Sequence, residues 1–114
     1  MQIRDVARLL NADILSGGTC LDREVKFACG CDLMSDALAF IEDGTLLLTG
    51  LTNLQVIRTA EMIDVFVIVF VRGKVPANEV IDMAKERNII LMSTDYTLFE
   101  ACGILYKAGL KGKS

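Results

Sequence analysis

The sequence contains no histidine, no tryptophan and a single proline, and only 6% of its residues are aromatic. Without histidine the chain has no imidazole base, no Ser-His or Cys-His catalytic pair and no histidine-ligated metal site of its own. It also lacks a G-x-x-x-x-G-K-[ST] phosphate-binding loop and a G-x-G-x-x-G dinucleotide motif. These absences exclude the commonest catalytic centres, and we expect a protein that is not an enzyme.

Excess positive charge and long apolar runs are also missing. The chain has 12 Lys and Arg residues against 15 Asp and Glu residues, a net charge of −3, so we expect no nucleic-acid partner. The longest apolar stretch, residues 65–71, is far shorter than the roughly 20 residues that span a bilayer. Arg4, Asp5 and Arg8 interrupt the N-terminal region, which does not resemble a signal peptide. We therefore expect a cytoplasmic protein without a membrane partner.

Aliphatic residues are abundant, and they occur in short runs. Hydrophobic residues make up 53% of the 114-residue chain, which is long enough for one domain with a substantial core. Three runs indicate strands that are buried on both faces, and a helical pattern follows each of them. The runs cover residues 45–48, 65–71 and 89–92, and the helical patterns cover 54–63, 76–87 and 96–107. This alternation predicts a single α/β domain over residues 1–114, with three α/β/α layers and a mixed, largely parallel sheet of about five strands.

Smaller elements are predicted before these units. They are a helix over residues 2–10, a strand over 13–15, a turn at 16–18, a half-exposed edge strand over 24–29 and a short helix ending near residue 41. Asp32 or Ser35 is the predicted cap of that short helix, and Asn53 is the predicted cap of the next one. Thr94 or Asp95 is expected to cap the last helix, and residues 111–114 are expected to fray.

Candidate ligand-binding residues lie in the turns after the three buried runs. Ligands of open α/β sheets bind beyond the carboxyl ends of the strands, where helix N-termini attract phosphate or carboxylate groups. Gly50 lets a backbone approach a ligand, Arg72 and Lys74 add positive charge, and Tyr96 can stack on a base. The candidates are Thr49, Gly50, Thr52, Asn53, Arg72, Gly73, Lys74, Ser93, Thr94, Asp95 and Tyr96. Caps and turns of any α/β domain use the same residue types, so both interpretations stay open.

The four cysteines are the second candidate cluster. Cys29 and Cys31 are two positions apart, with Cys20 upstream and Cys102 far downstream. Common zinc and iron–sulfur sites use C-x-x-C pairs, and no second pair follows here. We therefore interpret the cysteines as structural and assign no metal ligand or cofactor. The alternative is a redox or iron–sulfur site built on Cys29 and Cys31.

Several segments resemble the DRTGG domain family, and more closely its short stand-alone members. They are Leu47-Leu48-Thr49-Gly50 before a helix, residues 69–73 with Pro76, and Ser93-Thr94-Asp95-Tyr96 before the last helix. Residues 3–15 and Asp32-Leu33-Met34-Ser35-Asp36 fit the stand-alone members as well. Thr94 and Asp95 are the pair most directly carried over from the family pattern.

The resemblance implies a non-catalytic regulatory or ligand-sensing domain that binds a nucleotide or another small anion. DRTGG domains accompany CBS domains and the front of some phosphate acetyltransferases. Their fold is similar to the N-terminal domain of HPr kinase/phosphorylase, which lacks the kinase site. The apolar excess favours a homodimer. Two alternatives stay open: an accessory redox partner of a hydrogenase-type enzyme that uses Cys29 and Cys31, and an assembly subunit without a ligand.

Overall fold

Within residues 1–112, which the computed structural model describes, five strands form one sheet and five helices cover its faces. The helices are α1 (Ile3–Leu9), α2 (Met34–Phe40), α3 (Leu54–Met62), α4 (Asn78–Glu86) and α5 (Leu98–Lys107). The strands are β1 (Asp13–Ser16), β2 (Phe27–Gly30), β3 (Thr45–Thr49), β4 (Val67–Phe70) and β5 (Ile90–Ser93). None of the helices within residues 1–112 could span a membrane.

The strand order in the sheet is β1-β5-β4-β3-β2. The pairs β2–β3, β3–β4 and β4–β5 are parallel, while β1 pairs with β5 in the antiparallel direction. The predicted mixed, largely parallel sheet is therefore confirmed, as is the edge position of β2. Because the parallel strands point the same way, the turns that follow β2, β3, β4 and β5 emerge at one edge, which we call the carboxyl edge.

Two hydrophobic clusters, one on each face of the sheet, confirm the three-layer arrangement. Leu46 and Leu48 of β3 face the cluster that contains α1 and α5. Leu47, between them, faces the cluster that contains α2, α3 and α4. Successive side chains of a strand point to opposite faces, so a strand buried on both faces needs the unbroken apolar sequence seen here.

Three predictions about local structure are wrong. Ser16, expected in a turn, ends β1, where its Oγ donates to Ile89 O (2.9 Å) and accepts from Leu91 N (3.1 Å). The helical spacing of Leu98, Phe99, Cys102 and Leu105 predicts that all four lie inside, but Phe99 is 87% exposed because α5 turns other residues toward the sheet. Lys111, expected in a frayed tail, accepts a hydrogen bond from Ala28 N at the edge of β2 (3.0 Å). Residues 113 and 114 of that predicted tail lie outside the described residues.

Two of the three predicted helix caps differ from the structure, whereas Asn53 is the N-cap residue of α3, as predicted. The N-cap of α5 is Thr97, whose Oγ1 accepts from Glu100 N (3.2 Å), and not Thr94 or Asp95. The N-cap of α2 is Leu33, and Asn53 occupies the N-cap position of α3 without a side-chain hydrogen bond. Asp32 and Thr94 fail as predicted caps because their side-chain oxygens bond elsewhere: Asp32 to Thr49 and Gly50, and Thr94 to Leu10 at the end of α1.

Candidate functional site

Hydrogen bonds join the three predicted turns to one another at the carboxyl edge. Arg72 N donates to Tyr96 O and Gly73 N donates to Thr94 O, both at 2.8 Å, which ties the turn after β4 to the turn after β5. Lys74 Nζ donates to Gly50 O (2.9 Å), which ties the turn after β4 to the turn after β3. The structure therefore brings residues from all three turns into one continuous surface.

Asp32, two positions after the end of β2, belongs to this surface as well. Its Oδ1 accepts from Thr49 Oγ1 (2.9 Å) and from Gly50 N (2.7 Å). The sequence predicts Asp32 as a helix cap, and that prediction is wrong. Its position after an edge strand was the signal that could have identified it, because every parallel strand of the sheet ends at the same edge.

Arg72 adopts an unusual backbone conformation. Its φ is 60°, in the left-handed region, and Gly73 continues the turn with a φ of 68°. A left-handed conformation costs an L-residue roughly 1–2 kcal/mol, and Asn and Asp tolerate it best. Within the described residues the other non-glycine positions with positive φ all follow this preference: Asn11, Asp64 and Asn88. Arginine is the exception, held in place by the hydrogen bonds to the turn after β5.

This turn directs the Arg72 side chain toward Gly50. A Cβ added to Gly50 would lie 3.7 Å from Arg72 Nη2 and 3.6 Å from Asp32 Oδ1. The Arg72 guanidinium and the Asp32 carboxylate therefore lie next to the position that a side chain at residue 50 would occupy. In the part of the chain that the structure describes, the Arg72 guanidinium has neither an ion pair nor a hydrogen bond. It is available to an anionic group.

An open cleft of about 690 Å³ adjoins Gly50, between the first turns of α3 and α4. Its lining residues are Gly50, Leu51, Thr52, Asn53, Leu54, Gln55, Lys74, Ala77, Glu79 and Val80. Four of the predicted site residues, Gly50, Thr52, Asn53 and Lys74, therefore line one space. The volume lies within the range of about 300–1,000 Å³ that small-molecule sites occupy.

The last residue of β5 and the turn after it contain two buried hydroxyl groups and two solvent-exposed side chains. Thr94 is 2% exposed, and its Oγ1 donates to Leu10 O (2.7 Å) at the end of α1. Ser93 Oγ donates to Lys74 O (2.8 Å). These hydroxyls hold the turn in position and are engaged within the fold. Asp95 and Tyr96 remain exposed to solvent at the same turn.

Cys29, Cys31 and Cys102 lie close enough together for their charges to interact. All four cysteines are free thiols, and no three His, Cys, Asp or Glu side chains in the described residues are arranged to hold a metal ion. Burial, together with nearby Cys31 and Cys102, raises the pKa of the Cys29 thiol. A raised pKa disfavours the thiolate, which is the form that ligates metals and attacks disulfides. This environment does not favour the redox interpretation of Cys29.

Comparison with known proteins identifies a family and a similar solved structure. The model of the DRTGG domain matches residues 5–108. No curated protein matches the chain. The chain is similar to the crystal structure of the CBS and DRTGG domains of the regulatory region of Clostridium perfringens pyrophosphatase, complexed with activator, diadenosine tetraphosphate. The TM-score is 0.70 at 17% identity, over 91% of this chain and 45% of that one, so this chain spans less than half of that protein region.

Proposed function

This chain belongs to the DRTGG domain family, and from that membership we propose that it is a non-catalytic regulatory domain that senses a small anionic molecule, with nucleotides as the favoured class. The similar pyrophosphatase region is described as regulatory and holds a nucleotide activator, which supports both parts of the proposal. The lack of histidine and of a phosphate-binding loop supports a sensing role over a catalytic one.

The observation that carries the proposal is the unpaired guanidinium of Arg72, held beside Gly50 by a strained turn. A residue keeps a strained backbone conformation only where the surrounding contacts are strong enough to hold it, and such residues concentrate at functional sites. The guanidinium offers several N–H donors in a planar fork, which matches two oxygens of a phosphate group. A phosphate beside Gly50 would meet this fork without a steric barrier, because Gly50 has no Cβ.

The rest of the ligand would extend from this anchor into the cleft between α3 and α4. Lys74 lies in the cleft wall and adds a second positive charge, although its Nζ also donates to Gly50 O. Thr52 and Asn53 supply a hydroxyl and an amide on the opposite wall. Tyr96 is 37% exposed at the adjoining turn, where its ring is accessible to a base.

A melting experiment with a ligand panel tests the proposal. The panel contains AMP, ATP, diadenosine tetraphosphate, glucose 6-phosphate, acetyl phosphate and inorganic phosphate. A ligand at 100 times its Kd adds about 2.7 kcal/mol of stability, which for a domain of this size raises the melting temperature by about 10 °C. We expect this increase, saturable with concentration, for at least one adenine nucleotide. Circular dichroism is a suitable signal because the chain has no tryptophan. No shift with any compound would overturn the proposal.

Asp32 is expected to weaken anion binding in the native protein. Its carboxylate accepts from Gly50 N and lies beside the position proposed for the phosphate, so like charges repel there. Asp32→Asn keeps an oxygen that can accept from Thr49 and Gly50 but removes the charge. At about 5 Å in a largely solvated site this repulsion is worth about 1 kcal/mol, so affinity should rise about fivefold.

Isothermal titration with the best panel nucleotide measures this change, and Asp36→Asn, an exposed carboxylate in the first turn of α2, is the matched control. The control should leave affinity unchanged. Weaker binding by Asp32→Asn would contradict the expectation and would indicate that the carboxylate accepts a hydrogen bond from the ligand itself.

A further inference from the structure

The solvent-facing side of α5 carries an apolar stripe. Phe99 is 87% exposed and Tyr106 is 59% exposed, with the partly exposed Cys102 and the exposed Gly103 between them. Positions i, i+3, i+4 and i+7 lie on one face of a helix, so these four residues form a continuous surface, the α5 face. The opposite side of α5, through Ala101 and Leu105, is the one that packs into the core.

Gly103 lies at the centre of this face, and the monomer provides no reason for it. Its φ is not positive, and a Cβ added there would meet no atom within 4 Å. Glycine inside a helix is less favourable than almost any other residue, so an alanine would be better for the isolated domain. A glycine on an open helix face does allow a second backbone to approach closely.

Charged residues flank the α5 face in a pattern that is complementary to itself. At about 100° per residue, Glu100 and Lys107 lie about 100° and about 80° round the helix from Phe99, on the same flank. When two copies of a helix pair antiparallel about a two-fold axis, equal flanks meet. If the two-fold axis passes between Cys102 and Gly103, Glu100 lies about 4 Å from that axis, measured along the helix. The partner's Lys107 lies about 7 Å from the axis in the same direction. Each glutamate then meets a lysine.

We propose that a second copy of this chain binds the α5 face, so that two α5 helices pair antiparallel about a two-fold axis. Phe99 of each copy packs beside Tyr106 of the other, whose ring has Lys111 Nζ 3.6 Å from its centroid. Gly103 permits the close approach, and two Glu100–Lys107 pairs fix the direction. A ten-residue helix is about 15 Å long, so the contact is smaller than a standard interface of about 800 Å² per partner. The dimer is accordingly a reversible one, with a Kd in the micromolar range.

Sedimentation equilibrium of the full chain between about 1 and 300 μM measures this association. Gly103→Leu should raise the melting temperature, because the position is open and leucine favours a helix, yet weaken the dimer at least about tenfold. Phe99→Ala should weaken the dimer by a similar factor. Phe40→Ala is the matched control, because Phe40 is 79% exposed on α2, away from the α5 face, and its loss should leave the Kd unchanged.

A charge exchange tests the antiparallel direction. Glu100→Lys and Lys107→Glu should each weaken the dimer, since each replaces attraction with repulsion, and the double variant should restore it. Three results would each overturn the proposal. The wild type could stay monomeric throughout the concentration range, Phe40→Ala could weaken the dimer as much as Phe99→Ala does, or the double variant could fail to restore the dimer. Nucleotide titrations of the same variants report the ligand site separately, so either proposal can fail without the other.

Discussion

Replacing Arg72 with glycine is expected to abolish most of the nucleotide response while making the protein more stable. Loss of charge-assisted hydrogen bonds from the guanidinium removes about 1.5–3 kcal/mol of binding energy, so affinity should fall about 10- to 100-fold. Glycine relieves the strain of the left-handed conformation, which stabilises the folded protein. Its greater freedom in the unfolded chain offsets part of this gain, so the net increase in stability should be at most about 1 kcal/mol. Circular dichroism melts without ligand and calorimetric titration with nucleotide measure the two effects.

Two other variants separate charge from geometry in this experiment. Arg58→Ala removes an exposed arginine from α3 that does not line the cleft and has no ion pair in the described part of the chain, so it should change neither quantity by much. Arg72→Lys keeps the charge but loses the planar fork, and its affinity should fall between those of the wild type and Arg72→Gly. Wild-type affinity in Arg72→Gly would show that the guanidinium is not the anchor. A lower melting temperature in the same variant would show that the left-handed conformation of Arg72 is not strained.

Thr94→Val is expected to produce a large loss of stability. The substitution conserves shape but removes the hydroxyl that donates to Leu10 O inside the protein, and it leaves that buried carbonyl without its partner. An unsatisfied buried acceptor costs about 1–3 kcal/mol, which for a domain of this size lowers the melting temperature by about 5–10 °C. Thermal and urea unfolding, followed by circular dichroism, measure the change.

Thr52→Val is the matched control, since Thr52 lines the cleft and its hydroxyl makes no hydrogen bond within residues 1–112. Its effect on stability should stay within about 0.5 kcal/mol. We expect folded Thr94→Val to retain most of its nucleotide affinity, because the Thr94 hydroxyl is engaged with α1. An affinity loss with unchanged stability would instead identify Thr94 as a direct ligand contact, as the family resemblance implies.

Helix α5, with one exposed and one buried apolar side, shows how far periodicity alone can predict packing. The helix contains two apolar stripes, one through Ala101 and Leu105 and one through Phe99 and Tyr106. Both stripes have helical spacing, so the pattern predicts a helix without indicating which side meets the sheet. Ala101 and Leu105, which have the smaller side chains, are buried because α5 lies close over β2 and β3. Leu98 and Cys102 already approach Gly30 there.

Asp32 illustrates a different limit. A carboxylate just before a helix satisfies the local rule for a cap, and the local sequence offers no competing partner. The competing donors are Thr49 Oγ1 and Gly50 N, which are 17 and 18 positions away in sequence. They become neighbours only because β2 and β3 pair in parallel register, with Gly30 opposite Leu48. Cap prediction from sequence therefore fails where a sheet edge offers better donors.

The sequence by itself determined the α/β class, the parallel strands and the three turns where a ligand is proposed to bind. These properties follow from apolar periodicity and turn chemistry, which act between residues close together in the chain. Only the tertiary structure decided what the turn residues do, because their partners are distant: Thr94 bonds to Leu10 across 84 positions, and Lys74 bonds to Gly50 across 24. Other long-range hydrogen bonds, from Arg72 N to Tyr96 O and from Gly73 N to Thr94 O, hold Arg72 in its left-handed conformation, while its guanidinium stays free.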